Sequence, residues 1–229
     1  MSQRRLVILA TVVAAALVVG LVAFRALTRK EAPTSISQFQ GGAEVASTFA
    51  GIPQDGTVLG DPAAPVTIDE YVDLKCPHCA DAAENVVPTL VTAYVRPGRV
   101  RLRLRPLAFL AADSRSGAWA ASAAARQGKM WQFADVVLRN QGDEAARWLT
   151  PTYIAHAAEV AGVDPRRLER DMARPAVRAR LLADQREAEL VEARTTPFWV
   201  VRGPGGVRTV SGAQIDPLLA AIGEVSPAG

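Results

Sequence analysis

Two cysteines are present in the whole chain, and they stand two residues apart in Cys76-Pro77-His78-Cys79. The run Val66 to Val72 before them is β-branched and aromatic and reads as a strand that ends near Leu74. Cys76 then opens a helix, because Pro77 suits a first helical turn, where its missing N–H costs nothing. A thiol at a helix N-terminus is held as thiolate by the backbone amides and the positive end of the helix dipole, and a protonated His78 adds to that pull. A stabilised thiolate is a good leaving group, so a Cys76–Cys79 disulfide in this position is expected to be an eager oxidant in thiol–disulfide exchange. The rival uses of such a pair are an inert structural disulfide and half of a zinc site. A closed zinc site requires four ligands, and His156 plus one more residue stand at no sensible spacing. Neither a metal nor any other cofactor is expected.

Composition bounds the rest. With 229 residues, 49% hydrophobic and 21% charged, the chain is long and apolar enough for one or two globular domains rather than a disordered polymer. Two cysteines exclude a disulfide framework. The net charge of +3 rests on arginines scattered along the sequence. Arg103 and Arg105 alternate on a strand and Arg178 and Arg180 sit on a helix, the pattern of solvated faces. No nucleic-acid partner is implied.

Leu6 to Phe24 runs without a charge. Nineteen residues at helical rise cover about 28 Å, close to the roughly 30 Å hydrocarbon core, so residues 1–27 are read as an uncleaved transmembrane signal anchor. Ala-Phe-Arg-Ala-Leu after the run is a poor signal-peptidase site. Basic residues flank both ends, and orientation is taken instead from the dithiol chemistry, which needs an oxidising compartment: a single-pass cell-membrane protein with its catalytic domain outside the cytoplasm. Residues 28–56, rich in Ser, Thr, Gln, Gly and Pro, read as a flexible linker, and 57–229 as the folded domain.

Within that domain Val66–Val72, a helix continuing from Cys76 to Tyr94 with a break at Pro88, and the alternating strand Val100–Arg105 form a strand–helix–strand unit. Residues 114–194 turn helical. Thr150-Pro151 and Asp164-Pro165 have the form of an N-cap followed by a first-turn proline. Pro197–Val201 and Val207–Val210 then read as a hairpin, and Gln214–Ile222 as a closing helix. The fold class is therefore α/β, with an all-helical insertion too long to be a simple crossover.

Taken together, Cys-Pro-His-Cys after Glu70-Tyr71-Val72-Asp73, a helical insertion, and Thr196-Pro197 before a hairpin resemble the DsbA-type disulfide oxidoreductases of the thioredoxin superfamily over roughly residues 57 to 225. The resemblance implies a thioredoxin fold carrying the insertion and an enzyme that introduces disulfides into extracytoplasmic proteins. It implies Cys76 as the attacking, exposed sulfur and Cys79 as the buried resolving one. Pro197 is implied to be cis, with residue 196 presenting its backbone to an extended substrate. Glu70 is implied to be the buried acid that assists proton transfer at Cys79. Implied partners are reduced, unfolded proteins and a membrane reoxidase of the DsbB or vitamin K epoxide reductase type. The same motif also serves reductases and isomerases, according to its potential, and the peptide groove alone would suit a redox-inert chaperone-like holder. Thr195 stands where a glycine commonly precedes the Thr-Pro pair and, with Phe198 and Trp199, is expected to narrow the groove.

Overall fold

A computed structural model describes residues 12–21, 23–24 and 30–227. The chain divides into two units, residues 1–31 and 32–229. In the first, residues 12–21 and 23–24 are helical, and the remainder of the expected membrane span, residues 6–11 and 22, lies outside the described residues. Among the described residues no helix is long and apolar enough to cross a membrane.

The second unit begins earlier than the sequence suggested, and the tether assigned to residues 28–56 is corrected from residue 32 onward. A 3₁₀ turn at Ile36–Gln38 leads into helix α1, Gly42–Phe49. Val45 and Phe49 of α1 are 1% and 2% exposed, and the Phe49 ring lies 6.1 Å from that of Trp131. Isolated apolar residues in a polar stretch thus dock onto a core made elsewhere. Arg96 fastens the end of α1 by donating to the carbonyls of Ser47, Thr48 and Ala50.

Two short strands follow, β1 (Gln54–Asp55) and β2 (Val58–Leu59), then β3 (Val66–Asp73), β4 (Val100–Leu107), β5 (Phe198–Gly203) and β6 (Gly206–Ser211). They make one sheet in the order β1-β2-β4-β3-β5-β6. Central β3 is parallel to β4 and antiparallel to β5. Between β3 and β4 run α2 (Pro77–Asn85), a short α3 (Val87–Leu90) and a π turn at Val91–Val95. The helix is broken where Pro88 removes a backbone donor, as its position required.

Alternation along β3 decides which groups meet which layer. Val66, Ile68, Glu70 and Val72 share one face, and the apolar members of that set lie in the main core with Leu102, Leu104, Trp199 and Val201. Thr67, Asp69 and Tyr71 share the other face. There Tyr71, Leu107, Phe198 and Val200 form a smaller cluster with Ala188. Phe198 and Trp199 therefore fill opposite faces of the sheet.

Five helices join β4 to β5: α4 (Ser114–Ala125), α5 (Met130–Arg139), α6 (Pro151–Val160), α7 (Pro165–Met172) and α8 (Pro175–Leu190). Thr150 and Asp164 cap α6 and α7 by accepting from Tyr153 N and Arg167 N, and Pro151 and Pro165 follow at the first turn. The closing helix α9 spans Ile215–Val225. It crosses the β5–β6 turn so closely that a Cβ on Gly203 would meet the Val225 carbonyl oxygen at 2.3 Å, which reserves that position for glycine.

Phe49→Ala tests whether α1 is part of the folded unit. The substitution is expected to lower unfolding free energy by about 3–5 kcal/mol, the cost of emptying a core aromatic site. Denaturant melts would read this as a lower midpoint at unchanged slope. A change within about 0.5 kcal/mol, as at an exposed position, would return the segment to a tether.

Candidate active site

β3 ends inside the molecule, and the chain turns directly into α2. Asp73, fully buried, organises the corner: one carboxylate oxygen accepts from Lys75 N at 3.0 Å, and the other from Phe109 N and Leu110 N at 3.0 and 3.1 Å. The Asp73 carbonyl accepts from Cys76 N at 2.9 Å. Buried Gln141 donates to the carbonyls of Leu74 and Cys76 at 2.9 and 3.0 Å. Lys75 is wholly buried. Its Nζ donates to Asp113 Oδ1 at 2.7 Å and to the Ala146 carbonyl, and lies 5.3 Å from the Trp148 ring. Asp113 Oδ2 in turn accepts from Trp148 N and Leu149 N; burial pulls its carboxyl upward, but the Lys75 hydrogen bond first and these amides next hold it below the usual range. The redox corner is thus tied to the helical insertion by one ion pair and one amide. Lys75, Asp113 and Gln141 carry no local sequence signal, because these partners lie 35 to 71 residues away.

Cys76 occupies the N-cap of α2 with extended backbone, and Pro77 is in the first turn. Both cysteines are free thiols. Cys76 is 5% exposed and Cys79 fully buried, so the order of accessibility is the expected one, although Cys76 is itself well covered. Thr196-Pro197 is a cis peptide, and Cys76 Sγ donates to the Thr196 carbonyl at 3.3 Å, which sets the loop over the sulfur. The Thr196 hydroxyl is buried beside the two sulfurs. Thr195 beside it is exposed.

The two sulfurs are driven apart in acidity. Cys76 is lowered from 9.0 to about 6, chiefly by hydrogen bonding from the Cys79 thiol; burial opposes this, and Thr196 and the backbone amides of Cys79 and His78 support it. Cys79 is pushed well above the ordinary thiol range, by burial first, then by its hydrogen bond to and the charge of Cys76, with Glu70 adding to the rise. The amides are the contribution anticipated from a helix N-terminus. The His78 side chain points to solvent. It is 76% exposed and its Nδ1 faces Asp81 at 3.4 Å, so the influence of residue 78 on the sulfur visible here is that of its backbone.

Glu70 is 1% exposed on the core face of β3. Desolvation, followed by the nearby Asp135 charge, raises its carboxyl from 4.5 to about 8. Asp135 of α5 is 4% exposed and itself raised to about 6 by burial, although Arg139 Nε at 3.0 Å from Oδ1 pulls it back. A neutral carboxylic acid near Cys79 can give or take the proton that this sulfur exchanges when the disulfide opens and closes. The period of two on β3 places Glu70 with Val66, Ile68 and Val72, the one signal for its burial that needs no partner. Asp135 offers none, since it reads as a polar residue on an amphipathic helix. Among the described residues no cluster of His, Cys, Asp or Glu is suited to a metal.

A sequence model of the family described as thioredoxin matches residues 53–204. Over 149 residues the chain is 28% identical to a probable disulfide bond formation protein D of Bacillus cereus, an alignment covering 63% of this chain and 69% of that protein. A thioredoxin-like oxidoreductase of Silicibacter pomeroyi DSS-3 superposes with a TM-score of 0.63 at 29% identity, over 80% of this chain and 98% of that one. Oxidised BdbD of Bacillus subtilis superposes with a TM-score of 0.66 over 76% of this chain and 96% of that one; at 22% identity this match speaks to the fold.

The shift at Glu70 fixes a sign for stability against pH. Its folded value lies above its unfolded one, so between about 4.5 and about 8 the native state binds the extra proton and stability falls as pH rises, levelling off above that window. Glu70→Gln is expected to flatten this decline in denaturant midpoints of the reduced protein, and to be the more stable form above pH 8. Parallel pH profiles for the two proteins would place Glu70 in contact with water.

Proposed function

This chain belongs to the thioredoxin family, and from that premise we propose that it is a thiol:disulfide oxidoreductase that introduces disulfides into reduced, unfolded proteins outside the cytoplasm. The observation that carries the proposal is the opposed acidity of the paired sulfurs, Cys76 lowered and Cys79 raised. A disulfide whose reduced form contains a stabilised thiolate gives up its S–S bond readily, which favours the oxidising direction over the reducing one.

In the forward reaction a substrate thiolate attacks Cys76 Sγ of the oxidised pair. The S–S bond breaks, Cys79 leaves with the electron pair, and its high proton affinity draws a proton, with Glu70 as the adjoining donor. The mixed disulfide joins Cys76 to the substrate, whose extended backbone lies against Thr196 and Pro197. A second substrate thiolate then attacks the substrate sulfur of that bond, and Cys76 departs as the stabilised thiolate. The substrate has lost two electrons and the pair has gained them. A membrane oxidase that passes electrons onward returns the pair to its disulfide, in the manner of DsbB or vitamin K epoxide reductase type proteins. The uncharged run Leu6–Phe24 supports an anchor that keeps the catalytic unit near such a partner and raises its local concentration.

The test is turnover of a reduced, unfolded protein by the pre-oxidised chain. Disulfide formation should be abolished in Cys76→Ser, while Cys79→Ser, with Cys76 first converted to its mixed disulfide with thionitrobenzoate, should release that thiolate on attack by a substrate thiolate and yield a Cys76–substrate disulfide that reductant cleaves. Equilibration with glutathione should place the pair well above the roughly −270 mV of thioredoxin. A potential near that value, or full turnover by Cys76→Ser, would contradict the assignment.

A further inference from the structure

The sheet face opposite Glu70 carries charge that the dithiol chemistry does not use. Register sets Thr67, Asp69 and Tyr71 of β3 beside Arg101, Arg103 and Arg105 of β4, and Thr67 beside Arg202 of β5. Asp69 is 0% exposed and serves three guanidiniums: Arg103 at 3.3 Å, Arg105 at 3.4 Å, and Arg202. Arg105 continues to Asp184 and Glu187 of α8, each at 2.8 Å, and Arg180 holds Asp184 at 2.9 Å. Every carboxylate here is engaged. Among the described residues the ion pairs of Arg103, Arg105, Arg180 and Arg202 in this network end on Asp69, Asp184 and Glu187, and Arg101 adds a fifth guanidinium, two more positive charges than carboxylates.

That excess is placed where a ligand can reach it. Thr67, Asp69, Arg101, Arg103, Glu187 and Arg202 line a cavity of about 430 Å³. The side chains of Arg103 and Arg202 are 31% and 35% exposed and each spends a single nitrogen on Asp69, although a guanidinium carries five N–H donors. Arg101 is braced by donating to Thr67 Oγ1 at 2.8 Å and to the Pro62 carbonyl. Like charges crowded around one buried carboxylate repel, and an anion in the cavity would relieve that repulsion while accepting from planar forks suited to tetrahedral oxyanions.

We propose that the cavity between Arg101, Arg103 and Arg202 is an anion site that binds a phosphate-type oxyanion, with Asp69 fixing the guanidiniums in place. Asp69 precedes Cys76 by seven residues of mostly extended chain, so the site lies on the order of 20 Å from the dithiol, and its occupant takes no part in the exchange. The same phosphoryl chemistry is offered by free phosphate and by a phospholipid headgroup.

Thermal unfolding of the full chain in non-ionic micelles, titrated with inorganic phosphate at ionic strength held constant with sodium chloride, reads occupancy directly. A saturable rise in Tm is expected, and Arg103→Gln/Arg202→Gln should weaken the apparent phosphate affinity at least tenfold while disulfide turnover stays at the parental rate. Should the double variant fail to fold, Arg103→Gln alone leaves Arg105 and Arg202 on Asp69 and is read in the same way. A headgroup as the source is distinguished by a rise in micelles doped with phosphatidylglycerol but not phosphatidylcholine, competed by phosphate and lost in the variants. A phosphate response equal to that of chloride, with no phosphatidylglycerol response, or responses undiminished in the variants, would overturn the proposal.

Discussion

The turn from β3 into α2 sets two sulfurs three residues apart in unlike surroundings, and the chemistry proposed for the chain depends on that contrast. Cys76 caps the helix, where backbone amides converge on its sulfur, while Cys79 sits one turn further into the apolar interior. Neither environment is a property of the tetrapeptide alone. The corner is held by Asp73 beneath it, by Gln141 on the carbonyls of Leu74 and Cys76, and by the Lys75–Asp113 pair in the helical insertion. An ion pair taken fully out of water is a doubtful source of net stability, but removal of either partner strands a charge. What such a pair offers here is one fixed geometry for the residue before the reactive sulfur.

The sheet separates two ways of tolerating buried charge. On the main-core face Glu70 has apolar neighbours on its strand and the Asp135 charge nearby, and it responds by retaining its proton. On the opposite face Asp69 and Asp184 meet arginines and remain paired. A one-residue shift in the register of β3 would exchange these fates, since it would carry Glu70 to the arginines and Asp69 to the core. The redox role proposed for Glu70 and the charge balance of the arginine cavity therefore rest on the same alternation.

Local chemistry made much of this legible in advance. Pro77, Pro151 and Pro165 marked helix starts, Thr150 and Asp164 announced their caps, and Pro88 marked the break after α2. A β-branched, aromatic run marked β3, alternation marked β4, and a buried Glu70 was implied by the resemblance to the DsbA-type proteins. Arg105, read as belonging to a solvated face, is instead covered through Asp69, Asp184 and Glu187, because the helix that pairs it lies some eighty residues further along, while Arg103 pairs with Asp69 and stays partly exposed. Helix α1 was hidden for a related reason: Val45 and Phe49 are too few to signal amphipathicity, and their burial depends on a surface supplied by Trp131. The side chain of His78 stands between the cysteines in sequence yet faces Asp81, since successive helical residues point in different directions.

The contrast between the sulfurs can be read from thiolate absorbance at 240 nm in the reduced protein, with the oxidised protein as blank. A first ionisation with its midpoint near 6, well separated from a second far above the ordinary thiol range, is the expected titration. Two ionisations together near 9 would leave the disulfide without a source of oxidising power and contradict the role assigned to Cys76.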